Sequence, residues 1–147
     1  MRNSALAAAL CVFAGQVAAE VPAGWTSHAD KSGKCLVSTP ADWKQTELGA
    51  GFVGSPDKKA QAFIDASDLP YSTFKQVLLP MDQFKGAKIL KSTDSLYYAE
   101  LKGNNPSKRT LYVITARGKA GTCRAEITFD SKTEDTAKKI GDSLRVK

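Results

Sequence analysis

The side chains able to do chemistry are few and widely spaced along these 147 residues. The single histidine, His28, stands near Ser27 and Asp30, three residue types that together suggest a hydrolytic triad. A triad needs an aligned nucleophile beside an oxyanion hole, and the chain has no Gly-x-Ser-x-Gly elbow. A solvated or locally hydrogen-bonded histidine accounts better for these residues. Paired carboxylates are the next chemistry to weigh, since general acid–base work needs two acids facing one cleft. Asp65 and Asp68 straddle a strand end and a helix cap, and Glu100 and Glu126 fit an exposed ladder beside Lys102 and Arg124. Gly49-x-Gly51-x-x-Gly54 has the spacing of a dinucleotide fingerprint. That fingerprint must open a helix, whereas Ser55-Pro56-Asp57 makes a turn into another extended run, so a glycine-relieved strand or bulge is expected. Asn104-Asn105 belongs to a turn rather than to a calcium loop. No catalytic residue, cofactor or metal is expected.

Two cysteines carry a different chemistry. The chain opens on Met1-Arg2-Asn3, continues through an apolar run from Ser4 to Ala14, and reaches Val17-Ala18-Ala19 before Glu20. Charge, apolar stretch and small residues in that order are those of a secretory signal spanning 1–19. The run is shorter than the roughly 20 apolar residues that cross a bilayer, and no later segment is apolar enough to do so. Cleavage after Ala19 removes Cys11 and leaves Cys35 and Cys123. An even pair in an exported protein reads as a disulfide; two buried free thiols are the alternative. A zinc site would need four ligands, and His28 alone is available to join the cysteines.

These residues must be positioned by elements readable from apolar period and turn chemistry. An irregular lead-in is expected over 20–33, and a single domain over 34–147. Within it, short strands are expected at 34–38 and 43–46, a glycine-interrupted strand at 49–54 and another at 60–66. A helix follows, with Ser67 or Asp68 as its cap, Pro70 in its first turn, and Tyr71, Phe74 and Leu78 on one face. Four strands in a meander come next, at 87–91, 96–101, 109–117 and 122–129. In the last of them Cys123, Ala125, Ile127 and Phe129 alternate with Arg124, Glu126 and Thr128. Ser131-Lys132-Thr133-Glu134 has capping-box spacing ahead of a final helix whose apolar face is Ala137, Ile140 and Leu144, with Arg145 and Lys147 complementing its far end. The expected class is α+β, an antiparallel sheet of about six to seven strands with two helices packed on it.

The layout resembles the PsbP-like family of α/β/α sandwiches. The motifs that carry the resemblance are Pro40-Ala41-Asp42-Trp43 after an early strand, the strand from Phe52 into a Pro-containing turn at Asp57, the tyrosine-bearing strand Leu111–Thr115, and the close of the last helix on Ser143-Leu144. They cover about Cys35 to Lys147 and are short and fold-like. The resemblance implies an accessory or partner-binding role rather than one enzyme class.

Positive charge is the remaining signal. Lys and Arg number 21 against 15 Asp and Glu, a formal +6. The meander should place the turns at Ser92–Asp94 and Gly118–Gly121 at one end of the sheet, gathering Lys88, Lys91, Arg117 and Lys119 there, with Lys102, Lys108 and Arg109 at the other end. Such a patch would draw an anionic envelope component or an acidic protein face; solvated lysines protecting sheet edges are the alternative. Export argues against nucleic acid. The chain is therefore expected to be a periplasmic or secreted, non-catalytic binding protein. The second reading is an inhibitor or immunity protein that presents the Gly103–Lys108 hairpin or the Gly49–Lys59 segment to an exported enzyme or toxin.

Overall fold

The computed structural model describes residues 21–81, 84–102 and 109–147; the expected signal segment and the Gly103–Lys108 hairpin lie outside them. In chain order the elements are β1 (Trp25–Ala29), β2 (Cys35–Pro40), β3 (Lys44–Gln45), β4 (Phe52–Gly54), β5 (Gln61–Ser67), α1 (Tyr71–Thr73) running into a π-helical turn (Phe74–Leu78), β6 (Lys88–Ser92), β7 (Leu96–Leu101), β8 (Thr110–Arg117), β9 (Thr122–Phe129), α2 (Glu134–Asp142) and β10 (Arg145–Val146). The strands form a seven-stranded antiparallel sheet in the order β3-β4-β5-β9-β8-β7-β6 and a three-stranded sheet in the order β1-β2-β10. This is the α+β class that the residue pattern implied, with a seven-stranded antiparallel sheet.

Period-two alternation divides the large sheet into two faces. On one face Ala62, Ile64, Tyr98, Tyr112, Ile114, Ala125, Ile127 and Phe129 pack against Ala137 and Ile140 of α2 and against Cys35 and Val37 of β2. On the other, Tyr97, Ala99, Leu101 and Val113 pack under Tyr71, Phe74 and Phe84. Phe74 and Phe84 meet Tyr97 edge-on at ring separations of 5.6 and 6.1 Å, an arrangement that suits the ring quadrupoles.

The two sheets are tied covalently. Cys35 in β2 bonds Cys123 in β9 across a Cα–Cα distance of 5.5 Å, and both residues are buried. Hydrogen bonds add to the tie inside the small sheet. The Ser143 hydroxyl accepts from the Ser38 N–H at 2.7 Å, and the Arg145 guanidinium donates to Ser38 Oγ and Ser27 Oγ.

Four local expectations need correction. The lead-in at 20–33 contains β1, which pairs along its length with β2; its half-buried residues Trp25 and His28 are three apart, so no apolar alternation announces it. Arg145 lies beyond α2 in an unexpected strand, β10, opposite Leu36, while its guanidinium still donates to the carbonyl of Ser143 at the helix end. The first helix has neither expected cap. Ser67 Oγ accepts from the Leu69 N–H and Asp68 pairs with Lys34, while Pro70 starts the helix without a side-chain bond. Ahead of the last helix no capping box forms: Asp130 caps a 3-10 turn, Ser131–Thr133, its carboxylate accepting from the Lys132 N–H and the Thr133 hydroxyl, and α2 then follows Thr133 without a side-chain cap. A carboxylate is the stronger acceptor at a helix start, and it stands one residue earlier.

Two stability predictions follow from the tie and from the closest backbone approach. Replacing both Cys35 and Cys123 with Ala should lower the free energy of unfolding by about 2–4 kcal/mol in a urea titration. A Cβ at Gly121 would lie 2.0 Å from the Ser67 carbonyl oxygen, a backbone atom that cannot swing away. Gly121→Ala should therefore cost about 2 kcal/mol or more in the same titration.

Candidate functional site

His28 lies half-buried on β1, opposite Val37, with Nε2 3.0 Å from Thr39 Oγ1. Burial holds its pKa below the ordinary value. Asp30 is not its partner. That buried carboxylate accepts from the Ser32 hydroxyl, the Ser32 N–H and the Cys35 N–H, forming the turn between β1 and β2. Burial pushes the Asp30 pKa up, but these hydrogen bonds outweigh it and hold the group below the usual carboxylate range.

The acids do not converge. Glu100 stands opposite Tyr112 on the α2 face, buried and paired to Lys102 at 3.3 Å. Glu126 stands opposite Val113 on the other face, paired to Arg124. Asp65 is cross-strand from Arg124, and Asp68 meets Lys34 in an exposed ion pair of 3.4 Å. Near Glu100, the Tyr112 hydroxyl donates to Glu134, and its pKa is pushed up to about 12 by burial and then by the carboxylates of Glu134 and Glu100. Among the described residues no three His, Cys, Asp or Glu side chains gather to hold a metal.

The glycine motif is a backbone device. Gly51 has φ +88° and leaves only 2.6 Å between a hypothetical Cβ and the Ile64 carbonyl oxygen, and strand β4 follows it. The Gly49–Lys59 segment ends in a tight turn, where Ser55 bonds Asp57 and the Ala60 backbone. With 41–48 it borders an open groove of about 1060 Å³.

The basic residues are only partly brought together. The Arg117 N–H donates to the Ser95 carbonyl at 2.8 Å, so the two turns do share one end of the sheet, and Arg117 and Lys119 lie there. Lys91 is one pair from that end, opposite Tyr98, whereas Lys88 lies opposite Glu100 toward the other end. Facing residues share a face, so Lys88 and Lys91 emerge on the α2 side. Arg117, next to the inward Ala116, emerges on the α1 side, where its guanidinium sits over the Tyr71 ring at 5.7 Å. The expected four-residue patch is thus divided in two by strand parity. Lys119 has companions that sequence spacing could not reveal: with Lys34 and Lys147 it borders a hollow of about 220 Å³ walled by Ala66, Ala120 and Val146 beside the disulfide. The Lys147 N–H bonds the Lys34 carbonyl there at 2.9 Å, a contact created by β10. At the opposite end, Lys102 is paired to Glu100 and Arg109 donates to the Lys58 carbonyl; Lys108 lies outside the described residues.

No family model matches the chain, and no curated protein matches its sequence. The fold is similar to the solution structure of cyanobacterial PsbP (CyanoP) from Synechocystis sp. PCC 6803, with a TM-score of 0.52 and 12% identity over 91% of this chain and 99% of that one. The likeness is one of fold. Among the described residues no helix is long and apolar enough to cross a membrane, and the disulfide together with this fold is compatible with an extracytoplasmic location.

The environment of His28 has a testable consequence. Its folded pKa is depressed, so between that value and about 6.5 the unfolded chain binds more protons than the folded one. The urea midpoint should decline as pH falls through about 6.5 and level off below the folded value, and His28→Gln should flatten the decline. Asp30, depressed by its hydrogen bonds, contributes stability present above its ordinary value near 3.9 and lost only at more acidic pH.

Proposed function

We propose that the chain is an exported, non-catalytic accessory protein of the periplasm that works by docking its surface onto a protein or an anionic envelope component. One observation carries the reading. His28, Asp30, Glu100 and Glu134 are used in internal hydrogen bonds or ion pairs, while Lys88 and Lys91 project from a fully exposed strand and make no ion pair among the described residues. These groups are thus engaged within the molecule, and positive charge without an ion pair among the described residues is left on its surface, an arrangement suited to long-range attraction of an anionic surface. The accessory role implied by the PsbP-like resemblance agrees with this reading, as does a buried disulfide in an exported domain.

Retention on vesicles containing anionic phospholipid tests it. The disulfide-intact protein should be retained at low salt and released as ionic strength rises from about 0.05 to about 0.5 M, because exposed charges are screened over that range. Joint replacement of Lys91 and Lys119 by Glu should reduce retention about tenfold. Retention indifferent to salt and to these substitutions, with no salt-sensitive partner in an envelope extract, would reject the reading.

A further inference from the structure

Strand β6 is an outer strand of the seven-stranded sheet and, among the described residues, pairs with β7 alone. All five of its residues are exposed. Ile89 and Leu90, at 58% and 42% exposure, are among the described residues the only pair of adjacent exposed large hydrophobics, and a lysine flanks each side. Both ends of the strand are held. The Ala87 N–H bonds the Phe84 carbonyl before it, and beyond it the Thr93 carbonyl accepts from the Tyr71 hydroxyl at 3.1 Å and from Lys75 Nζ at 3.4 Å.

We propose that this edge receives an extended acidic segment of a partner protein as an added strand, a specific form of the surface docking inferred above. Three features select that occupant. The outer edge of a strand presents N–H donors and C=O acceptors in alternation, and a peptide backbone answers both, whereas a lipid phosphate answers only the donors. A second copy pairing antiparallel would set Lys88 and Lys91 against the same lysines, and like charges placed opposite each other are destabilising. An acidic segment turns the same charges into attraction, with carboxylates meeting Lys88 and Lys91 on the α2 side and an apolar side chain meeting Ile89 on the α1 side. The bulge between Ile89 and Lys91 and the lysines are devices that discourage indiscriminate edge pairing, which leaves a charge-matched segment as the admitted one. An edge already held at both ends loses little freedom on accepting it.

The test titrates the disulfide-intact protein with a terminally blocked peptide of alternating glutamate and valine, about eight residues long, while backbone amide exchange is followed. Slowed exchange confined to β6, roughly tenfold weaker binding after Lys88→Glu with Lys91→Glu, and loss of binding when alternate peptide nitrogens are methylated would support the proposal. Lys88→Gln with Lys91→Gln, expected to give an intermediate loss, serves if charge reversal disturbs folding. Equal binding of the methylated peptide, protection elsewhere, or self-association through β6 without peptide would overturn it. Salt-sensitive vesicle retention that the peptide does not affect, with β6 amides unprotected, would also overturn the edge proposal and leave the broader docking reading standing.

Discussion

The bond between Cys35 and Cys123 is the constraint on which the arrangement depends, because it joins two sheets that, among the described residues, share no hydrogen-bonded strand. The three-stranded sheet is small: β10 contributes two residues, and most of β1 is exposed. A sheet of that size is marginal alone. It gains its place by laying Cys35 and Val37 on the buried face of the larger sheet, and the cross-link holds that contact by limiting the freedom of the unfolded chain. Position matters as well as strength. Cys123 leads an alternating strand at the middle of the large sheet, so the bond anchors the small sheet to the best-packed part of the molecule.

Burial also explains where the polar side chains went. Asp30 closes the β1–β2 turn, Thr39 meets His28, and Ser143 joins the end of α2 to β2. Each satisfies a backbone or side-chain group that would otherwise be stranded near the core, where an unmet hydrogen bond is costly. Tyr98 is an exception. Among the described residues its buried hydroxyl has no partner, and the absence of a side chain at Gly141 gives it room, since a Cβ there would approach that oxygen to 2.7 Å. Burial raises the Tyr98 pKa, with the charge of Asp142 adding to the effect.

The large sheet could be read from the chain because its signals are local. Alternation from Thr122 to Phe129 and the Gly-rich turn at 118–121 place β8 and β9 side by side without reference to anything distant. The small sheet gives no such signal. β1 has two half-buried residues out of phase for a strand, and β10 exists only because Arg145 and Val146 find Leu36 and Cys35 far back in the sequence. The same gap affected the basic surface. Counting along strands located the shared turn end correctly, but gathering Lys88, Lys91, Arg117 and Lys119 ignored that alternate residues leave a sheet on opposite sides. Lys34 and Lys147 were out of reach for the further reason that β10 brings them together.

The place of β10 has a bearing on the order in which the molecule can be completed. The strand lying between its two neighbours in the small sheet is β2, made early, whereas one of those neighbours is made of residues 145–146. A polypeptide emerging N-terminus first can form the β1–β2 hairpin early, yet one flank of that hairpin stays open until residues 145–146 have appeared. Such distant closure is slow to find. Cys35 likewise meets its partner 88 residues further along, so the cross-link and the closing strand both depend on contacts distant in sequence.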